Sequence, residues 1–149
     1  MREYLYDFFI AYAQADKVLA EELFDLLSDE ATVFLDSRCL EPGDDWPTVI
    51  QEAQRRSRAT IVLISANTDR AFYQGEEIAA AIALSREEDD AHRVIPLYCP
   101  GGSPGDRHIP YGLRRKAPLY INEDTPMDQV AARLLKLRRT LVRKRHDAL

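Results

Sequence analysis

The stretch ATIVLI, residues 59–64, is the clearest buried strand in the sequence. An uninterrupted run of apolar and β-branched side chains is typical of a strand that helices cover on both faces of a parallel sheet. Comparable short runs lie on either side of it, and they span residues 4–12, 31–35, 93–98 and 117–121. The sequence therefore predicts five strands, each separated from the next by a more polar segment.

Helix signals fill the segments between these strands. Leucines recur at helical spacing after Asp16, whose side chain is suited to cap a helix. Pro47 suits the first turn of another helix, and the sequence TPMD at 125–128 is typical of the start of the last one. This alternation predicts an α/β fold of the flavodoxin-like type, a three-layer sandwich whose five-stranded parallel sheet has the order 2-1-3-4-5 with helices on both faces.

The composition limits the classes of function. With 149 residues and a formal net charge of -5, the chain suits a single domain and is a poor candidate for a nucleic-acid or anionic-membrane binder. No apolar run approaches the roughly 20 residues that span a bilayer, and the N-terminus does not resemble a signal peptide, so we expect a cytoplasmic location. Cys39 and Cys99 have neither a CxxC partner nor a histidine at metal spacing, so reduced thiols and no metal site are expected. His92, His108 and His146 fit no catalytic or metal spacing, and we expect them at the surface.

The predicted topology also places a ligand crevice. In a doubly wound sheet, ligands bind at the carboxyl ends of the strands where the strand order reverses, here between the first and third strands. Residues 11–14 and 65–77 reach this crevice, and the loop at 37–46 can fold over the same edge. Tyr12 and Ala13 lie at the switch point itself, where their backbone can approach a ligand.

Two adjacent acids, Glu76 and Glu77, stand at the predicted start of the helix after the third strand. Glu77 shares a helical face with Ala81 and Leu84, which predicts an inward position, whereas Glu76 is predicted to face water. The helix dipole also favours acids in a first turn, so the residues alone support a structural role for Glu77 as well as a functional one.

Several motifs occur in the order and spacing of a known family. They are YDFFIAY at 6–12, VFLD at 33–36 followed by EPGDDW at 41–46, and LIS at 63–65. Together they resemble a TIR (Toll/interleukin-receptor) domain of the bacterial kind over nearly the whole chain, with Ala11 in place of the usual serine. The resemblance implies a TIR domain over residues 1–141, followed by a basic tail over 142–149 that could link to a sensor domain.

The aromatic-x-x-x-Glu element of enzymatic TIR domains is matched by YQGEE at 73–77. The resemblance therefore implies an NAD+ glycohydrolase, with Glu77 as its catalytic residue, that releases nicotinamide and either ADP-ribose or a cyclic ADP-ribose product. NAD+ is the substrate, and neither a cofactor nor a metal is implied. The residues expected to bind the substrate are Tyr12, Ala13, Asp36, Arg38 and Tyr73. Two of them have a second interpretation, in which Asp36 accepts a hydrogen bond between helix and loop and Arg38 is simply solvated.

Self-assembly is a further implication of the resemblance. Family members complete their site by head-to-tail contacts that can extend into a filament, and bacterial members often act in antiphage defence or signalling. The loop expected at the join includes Leu40, Pro42, Gly43, Asp45 and Trp46. Trp46 has a second interpretation, which is packing against the helix that it precedes.

Two other classes of function compete with this interpretation. A non-catalytic TIR adaptor would act through TIR–TIR contacts alone, and it would not need Tyr73 and Glu77 in register. A phosphate-accepting receiver would need a cluster of acids after the first strand and an aspartate after the third, where the sequence has AYA at 11–13 and Ser65. We therefore set the receiver aside.

The implied chemistry needs one carboxylate. The nicotinamide of NAD+ is already a cation and leaves as a neutral molecule, so no acid has to protonate it. An ionised Glu77 could stabilise the positive charge that grows on the ribose, or it could trap the sugar covalently, and the sequence leaves both open.

The basic stretch 138–145 also has two interpretations. It is either a solvated helix end whose cations suit the helix dipole, or a junction to another domain or partner.

Overall fold

The computed structural model describes residues 3–87, 92–103, 106 and 109–147. Its centre is one five-stranded sheet, all parallel, in the order β2-β1-β3-β4-β5. The strands are β1 Tyr6–Ala11, β2 Val33–Phe34, β3 Ser57–Ile64, β4 Arg93–Tyr98 and β5 Leu119–Tyr120. The predicted flavodoxin-like fold and strand order are confirmed.

Six α-helices and two short 3-10 turns connect and cover the strands in the described part of the chain. The helices are α1 Lys17–Leu27, α2 Asp36–Cys39, α3 Trp46–Arg55, α4 Phe72–Ser85, α5 Tyr111–Arg114 and α6 Met127–Asp147, and the turns are Gln14–Asp16 and Thr68–Arg70. Within the residues that the structure describes, none of these helices has the length and apolar character needed to cross a membrane.

The sheet separates two hydrophobic cores. Side chains of β3 alternate between them, so that Ile61 and Leu63 face α1 and α6, whereas Val62 and Ile64 face α3 and α4. All four of these side chains are fully buried. Burial on both faces is the reason why the segment around ATIVLI is apolar without alternation.

Two local expectations were wrong, and one helix was not predicted. The predicted loop at 37–46 contains the short helix α2, and α5 follows the irregular segment after β4 without having been predicted. Asp16 does not cap α1 with its side chain. Its carboxylate instead accepts hydrogen bonds from the Ser65 hydroxyl and, at 2.9 Å, from Asn67 Nδ2, because both donors come from the loop after β3 and the acid is buried beneath it.

The basic end of the chain is tied to the fold at Arg138. Its Nε donates to Asp7 Oδ2 at 2.7 Å, and Arg58 lies 3.3 Å from the other oxygen of the same buried carboxylate. Burial works to raise the pKa of Asp7, but hydrogen bonds from Arg138 and Thr32 outweigh it and hold the pKa below its ordinary value. Arg138 is therefore held by the fold, and the two interpretations of the basic stretch stay open for the residues after it.

Beyond that residue, α6 continues to Asp147 without a break at the predicted boundary of 141. Residues 148–149 lie outside the described residues, and a role of the tail as a linker stays a prediction.

Candidate functional site

Glu77 is half-buried in the second turn of α4, whereas Glu76 beside it is exposed. The two acids thus differ as the helical spacing predicted. Burial, followed by the charges of Asp36 and Glu76, raises the pKa of Glu77 from 4.5 to about 8. The sequence predicted that the two acids lie in the first turn of this helix. This prediction was wrong, because α4 begins at Phe72 and its first turn contains no acid.

Two residues from the ends of neighbouring strands stand close to Glu77. Tyr12 follows β1 and is buried, and Asp36 is the first residue of α2 after β2. Tyr12 Oη donates to Asp36 Oδ1 at 2.5 Å, and the same oxygen accepts the backbone N–H of Ser37 at 2.7 Å. Burial, then the hydrogen bond and charge of Asp36, raise the pKa of Tyr12, and Glu77 adds to this effect. Three expected site residues are therefore brought together.

Two aromatic rings lie one helical turn before Glu77. Tyr73 is four residues earlier on the same face of α4, and its ring meets that of Trp46 edge to face, with centroids 4.7 Å apart. Tyr73 is 58% exposed and Trp46 is 38% exposed, so a flat ligand ring has access to them. Trp46, an expected residue of the assembly loop, lies at the rim of this site.

The rest of the expected assembly loop is mostly exposed. Pro42, Gly43 and Asp45 face solvent, while Leu40 packs against the second core. Gly43 has φ +91° in a tight turn, where the backbone N–H of Asp44 donates to Glu41 O at 3.0 Å. A side chain at position 43 would be strained in this conformation. Participation of the loop in assembly stays a prediction.

Arg38 points to a different neighbour from the one expected. Its Nε lies 2.6 Å from Glu21 Oε2 and its NH1 lies 3.2 Å from Asp25 Oδ1, so its guanidinium is engaged by two carboxylates of α1. Its expected contact with a substrate phosphate would require these exposed ion pairs to open, which costs little in water. That contact stays a prediction.

Ala13 is buried, and its carbonyl accepts the backbone N–H of Asp16 at 2.7 Å. Its carbonyl is thus engaged in the turn after β1. The proposed approach of its backbone to a ligand stays a prediction.

Two buried glutamines hold α4 in place, and neither was predicted from the sequence. Gln74 Nε2 donates to the carbonyl oxygens of Leu63 at 2.6 Å and Ala11 at 3.3 Å, which ties the first turn of α4 to the ends of β3 and β1. Gln54 Nε2, on α3, donates to the backbone carbonyl of Glu77 at 2.8 Å. Their position on apolar helix faces was the only signal in the sequence.

The surface expectation was wrong for His92. It is 2% exposed and bonds Thr60 Oγ1 and the carbonyl of Ser57, because two polar partners on β3 compensate its burial. His108 and the side chain of His146 lie outside the described residues.

The remaining chemistry of the described residues is sparse. Burial raises the pKa of Cys99 to about 12, so its thiol stays protonated at neutral pH. Within the ranges given above, no three His, Cys, Asp or Glu side chains stand close enough to hold a metal ion.

The fold and this site define a TIR-type α/β domain. The TIR domain family matches residues 8–135, and the chain belongs to that family. No curated protein matches the chain.

The chain is similar to many solved structures, including the following three. The TIR domain of the Toll-related receptor TRR-2 from Hydra magnipapillata is 22% identical over 91% of this chain and 98% of its own, with a TM-score of 0.64. A metazoan TIR-STING receptor from C. gigas, in complex with 2',3'-cGAMP, is 22% identical over 91% of this chain, with a TM-score of 0.73. The TIR domains of the activated Roq1 resistosome, which directly recognises the pathogen effector XopQ, are 22% identical over 63% of this chain, with a TM-score of 0.55.

These likenesses support the fold. This chain spans 41% of the TIR-STING chain and 57% of the Roq1 chain, so those proteins contain parts that it does not match.

Proposed function

We propose that this TIR domain cleaves the nicotinamide–ribose bond of NAD+, releasing nicotinamide and either ADP-ribose or a cyclic ADP-ribose product. The observation that carries the proposal is the grouping of a half-buried Glu77 with Asp36 and Tyr12, one helical turn from the exposed ring of Tyr73. A bacterial cytoplasm, with a role in antiphage defence or signalling, is the proposed setting.

The charges of the site suit a cationic substrate. The pKa of Glu77 is raised by burial and by neighbouring acids, so an arriving pyridinium cation favours its ionised form. The ionised carboxylate then stabilises the positive charge that develops on the ribose as neutral nicotinamide leaves, or it bonds to the sugar. Asp36, held by the Tyr12 hydroxyl, adds a second negative charge on the same side. Tyr73 and Trp46 offer ring faces for stacking.

Nicotinamide release by the purified chain tests the proposal. We expect release by the wild type, loss of at least about two orders of magnitude in Glu77→Ala because the central charge is removed, and most of the activity in the matched control Glu76→Ala. Added chelator should have no effect, because the proposed mechanism uses no metal. Full activity in Glu77→Ala would exclude the assigned role.

Self-association is proposed to raise the activity. The exposed loop residues Pro42, Gly43 and Asp45 are the proposed join, and a repeated head-to-tail contact extends into a filament when its rotation does not close. Turnover per molecule should then rise with protein concentration. A rate per molecule that is constant over a wide range, from a chain that stays monomeric, would contradict this.

A non-catalytic adaptor is the second candidate. The observation in its favour is that Arg38, the residue expected to meet a substrate phosphate, is engaged by Glu21 and Asp25 of α1. A wild type that associates with itself but releases no nicotinamide, also at high pH and high concentration, would favour the adaptor.

A further inference from the structure

A chain of buried hydrogen bonds ends on the backbone of Glu77. Gln54, near the end of α3 and 3% exposed, donates from Nε2 to Glu77 O at 2.8 Å and to Thr60 Oγ1 at 3.2 Å. Thr60 Oγ1 lies 2.8 Å from His92 Nε2, and His92 Nδ1 lies 2.9 Å from the carbonyl oxygen of Ser57. The chain thus links β3, the start of β4 and the two helices that flank the candidate site.

The direction of each hydrogen bond in this chain is worked out from its ends, where backbone carbonyl oxygens can only accept. The carbonyl of Ser57 only accepts, so His92 Nδ1 carries a proton, and in the neutral ring Nε2 is then an acceptor. With a neutral ring, the Thr60 hydroxyl donates to His92 and accepts one N–H of Gln54. The other N–H of the same amide is left to donate to Glu77. The histidine and threonine together fix which way the amide points.

We propose that Gln54 is a positioning residue that fixes Glu77 in the candidate site, and that Thr60 and His92 orient its amide. A carbonyl oxygen has two lone pairs, so Glu77 O can accept this bond in addition to one within its helix. The bond joins α3 to α4 at the residue whose side chain enters the site. The kinetic consequence rests on the proposed NAD+ cleavage, whereas the position of the carboxyl can be measured without substrate.

The carboxyl of Glu77 is sensitive to small movements of α4. It is faced by Asp36 from α2, by Glu76 from its own helix and by Tyr12 from the end of β1. If the bond to α3 is lost and α4 shifts, water gains access to the carboxyl, and its better solvation favours the ionised form. The same movement misplaces the carboxylate relative to a bound substrate, and an error of about 1 Å can cost roughly a hundredfold in rate.

The test compares Gln54→Met with Gln51→Met. The first variant keeps the length of the buried side chain and removes both donors, while the second changes an exposed glutamine of the same helix. The measurements are the 13C NMR titration of the Glu77 carboxyl without substrate, the kcat and KM of nicotinamide release, and the melting temperature. We expect Gln54→Met to lower the titration midpoint by about half a pH unit or more, and kcat by about tenfold or more with KM nearly unchanged. Gln51→Met should match the wild type.

A second pair of variants keeps the proposal testable if Gln54→Met does not fold. Thr60→Val removes the hydroxyl that orients the amide, and Thr60→Ser retains it. Thr60→Val should shift the titration and kcat in the same direction by a smaller amount, and Thr60→Ser should restore both. A lower melting temperature with an unchanged Glu77 midpoint and unchanged kcat would mean that the chain is only structural, and would overturn the proposal. A wild type without NAD+ cleavage would overturn the proposed function instead, and the titration alone would then decide the positioning role.

Discussion

Replacement of Glu77 by glutamine should stabilise the domain, and the gain should depend on pH. The folded state raises the pKa of this carboxyl from 4.5 to about 8. Between these two pH values the folded chain keeps a proton that the unfolded chain has released, so stability falls as pH rises through this window and is then constant. Each pH unit is worth about 1.4 kcal/mol, so the penalty has an upper bound of about 3 kcal/mol at pH 7 and about 5 kcal/mol at pH 9.

Glutamine keeps the shape of the protonated acid but cannot ionise, so Glu77→Gln should remove this penalty. In a domain of about 150 residues, 1 kcal/mol corresponds to roughly 2–4 °C, so the melting temperature should rise by up to about 6–12 °C at pH 7. The difference between variant and wild type should be larger at pH 9 and close to zero near pH 4.5. NAD+ cleavage should be lost in the same variant.

The assay is urea or thermal unfolding of the wild type, Glu77→Gln and Glu76→Gln at pH 5, 7 and 9. Glu76→Gln is the matched control, because it removes an exposed charge from the adjacent position. A difference between Glu77→Gln and the wild type that stays constant from pH 5 to 9 would refute the burial argument. An equal, pH-dependent gain in Glu76→Gln would refute the assignment to Glu77.

Three further outcomes follow from the structure. The kcat/KM of nicotinamide release should rise with pH, reach half of its plateau near pH 8, where Glu77 ionises in the free enzyme, and level off above that pH; a flat profile from pH 6 to 9 would contradict an ionised Glu77. Arg138→Met should destabilise the domain in urea unfolding by about 1–3 kcal/mol relative to Arg139→Met, because it removes a 2.7 Å bond to buried Asp7. That difference should be present at neutral pH and lost as pH falls through the lowered pKa of Asp7; its persistence there would contradict the ion pair. Gly102→Ala should lower the melting temperature, because a Cβ there would stand 2.3 Å from a backbone carbonyl oxygen at the end of β3, and an unchanged value would show that the loop moves freely.

The sheet could be predicted from the sequence because its signals are local. A strand buried on both faces needs a short apolar run, and β4 Arg93–Tyr98 was predicted at its observed bounds. The edge strands β2 and β5 are shorter than predicted. Each has one neighbouring strand and pairs with it over only two residues. Alternation of strand and helix predicted a parallel sheet, and the strand order was taken from the common flavodoxin-like order for five strands.

The buried polar contacts could not be predicted because their partners are distant in sequence. Arg138 bonds Asp7 across 131 positions, Asp16 bonds Ser65 across 49, and His92 bonds Thr60 across 32. Charge or polarity alone favours the surface, and only the folded chain supplies the partner that makes burial tolerable. For the candidate site, the helical face of Glu77 was predictable because it depends on spacing within one helix. The nearness of Asp36 and Tyr12, and the support from Gln54, depend on three other elements.

The environment of Glu77 differs from that of an acid that serves the helix dipole. An acid that serves the helix dipole lies in the first turn, and the positive end of the dipole favours its charged form. Glu77 lies in the second turn of α4, is half-buried, and has its pKa raised to about 8 beside Asp36, so the fold opposes its charge. An acid that only interacted with the helix dipole would not need to be buried, and the neighbouring Glu76 is exposed. Acids whose pKa is strongly raised by burial and by neighbouring charges are concentrated at functional sites. This favours the functional role for Glu77.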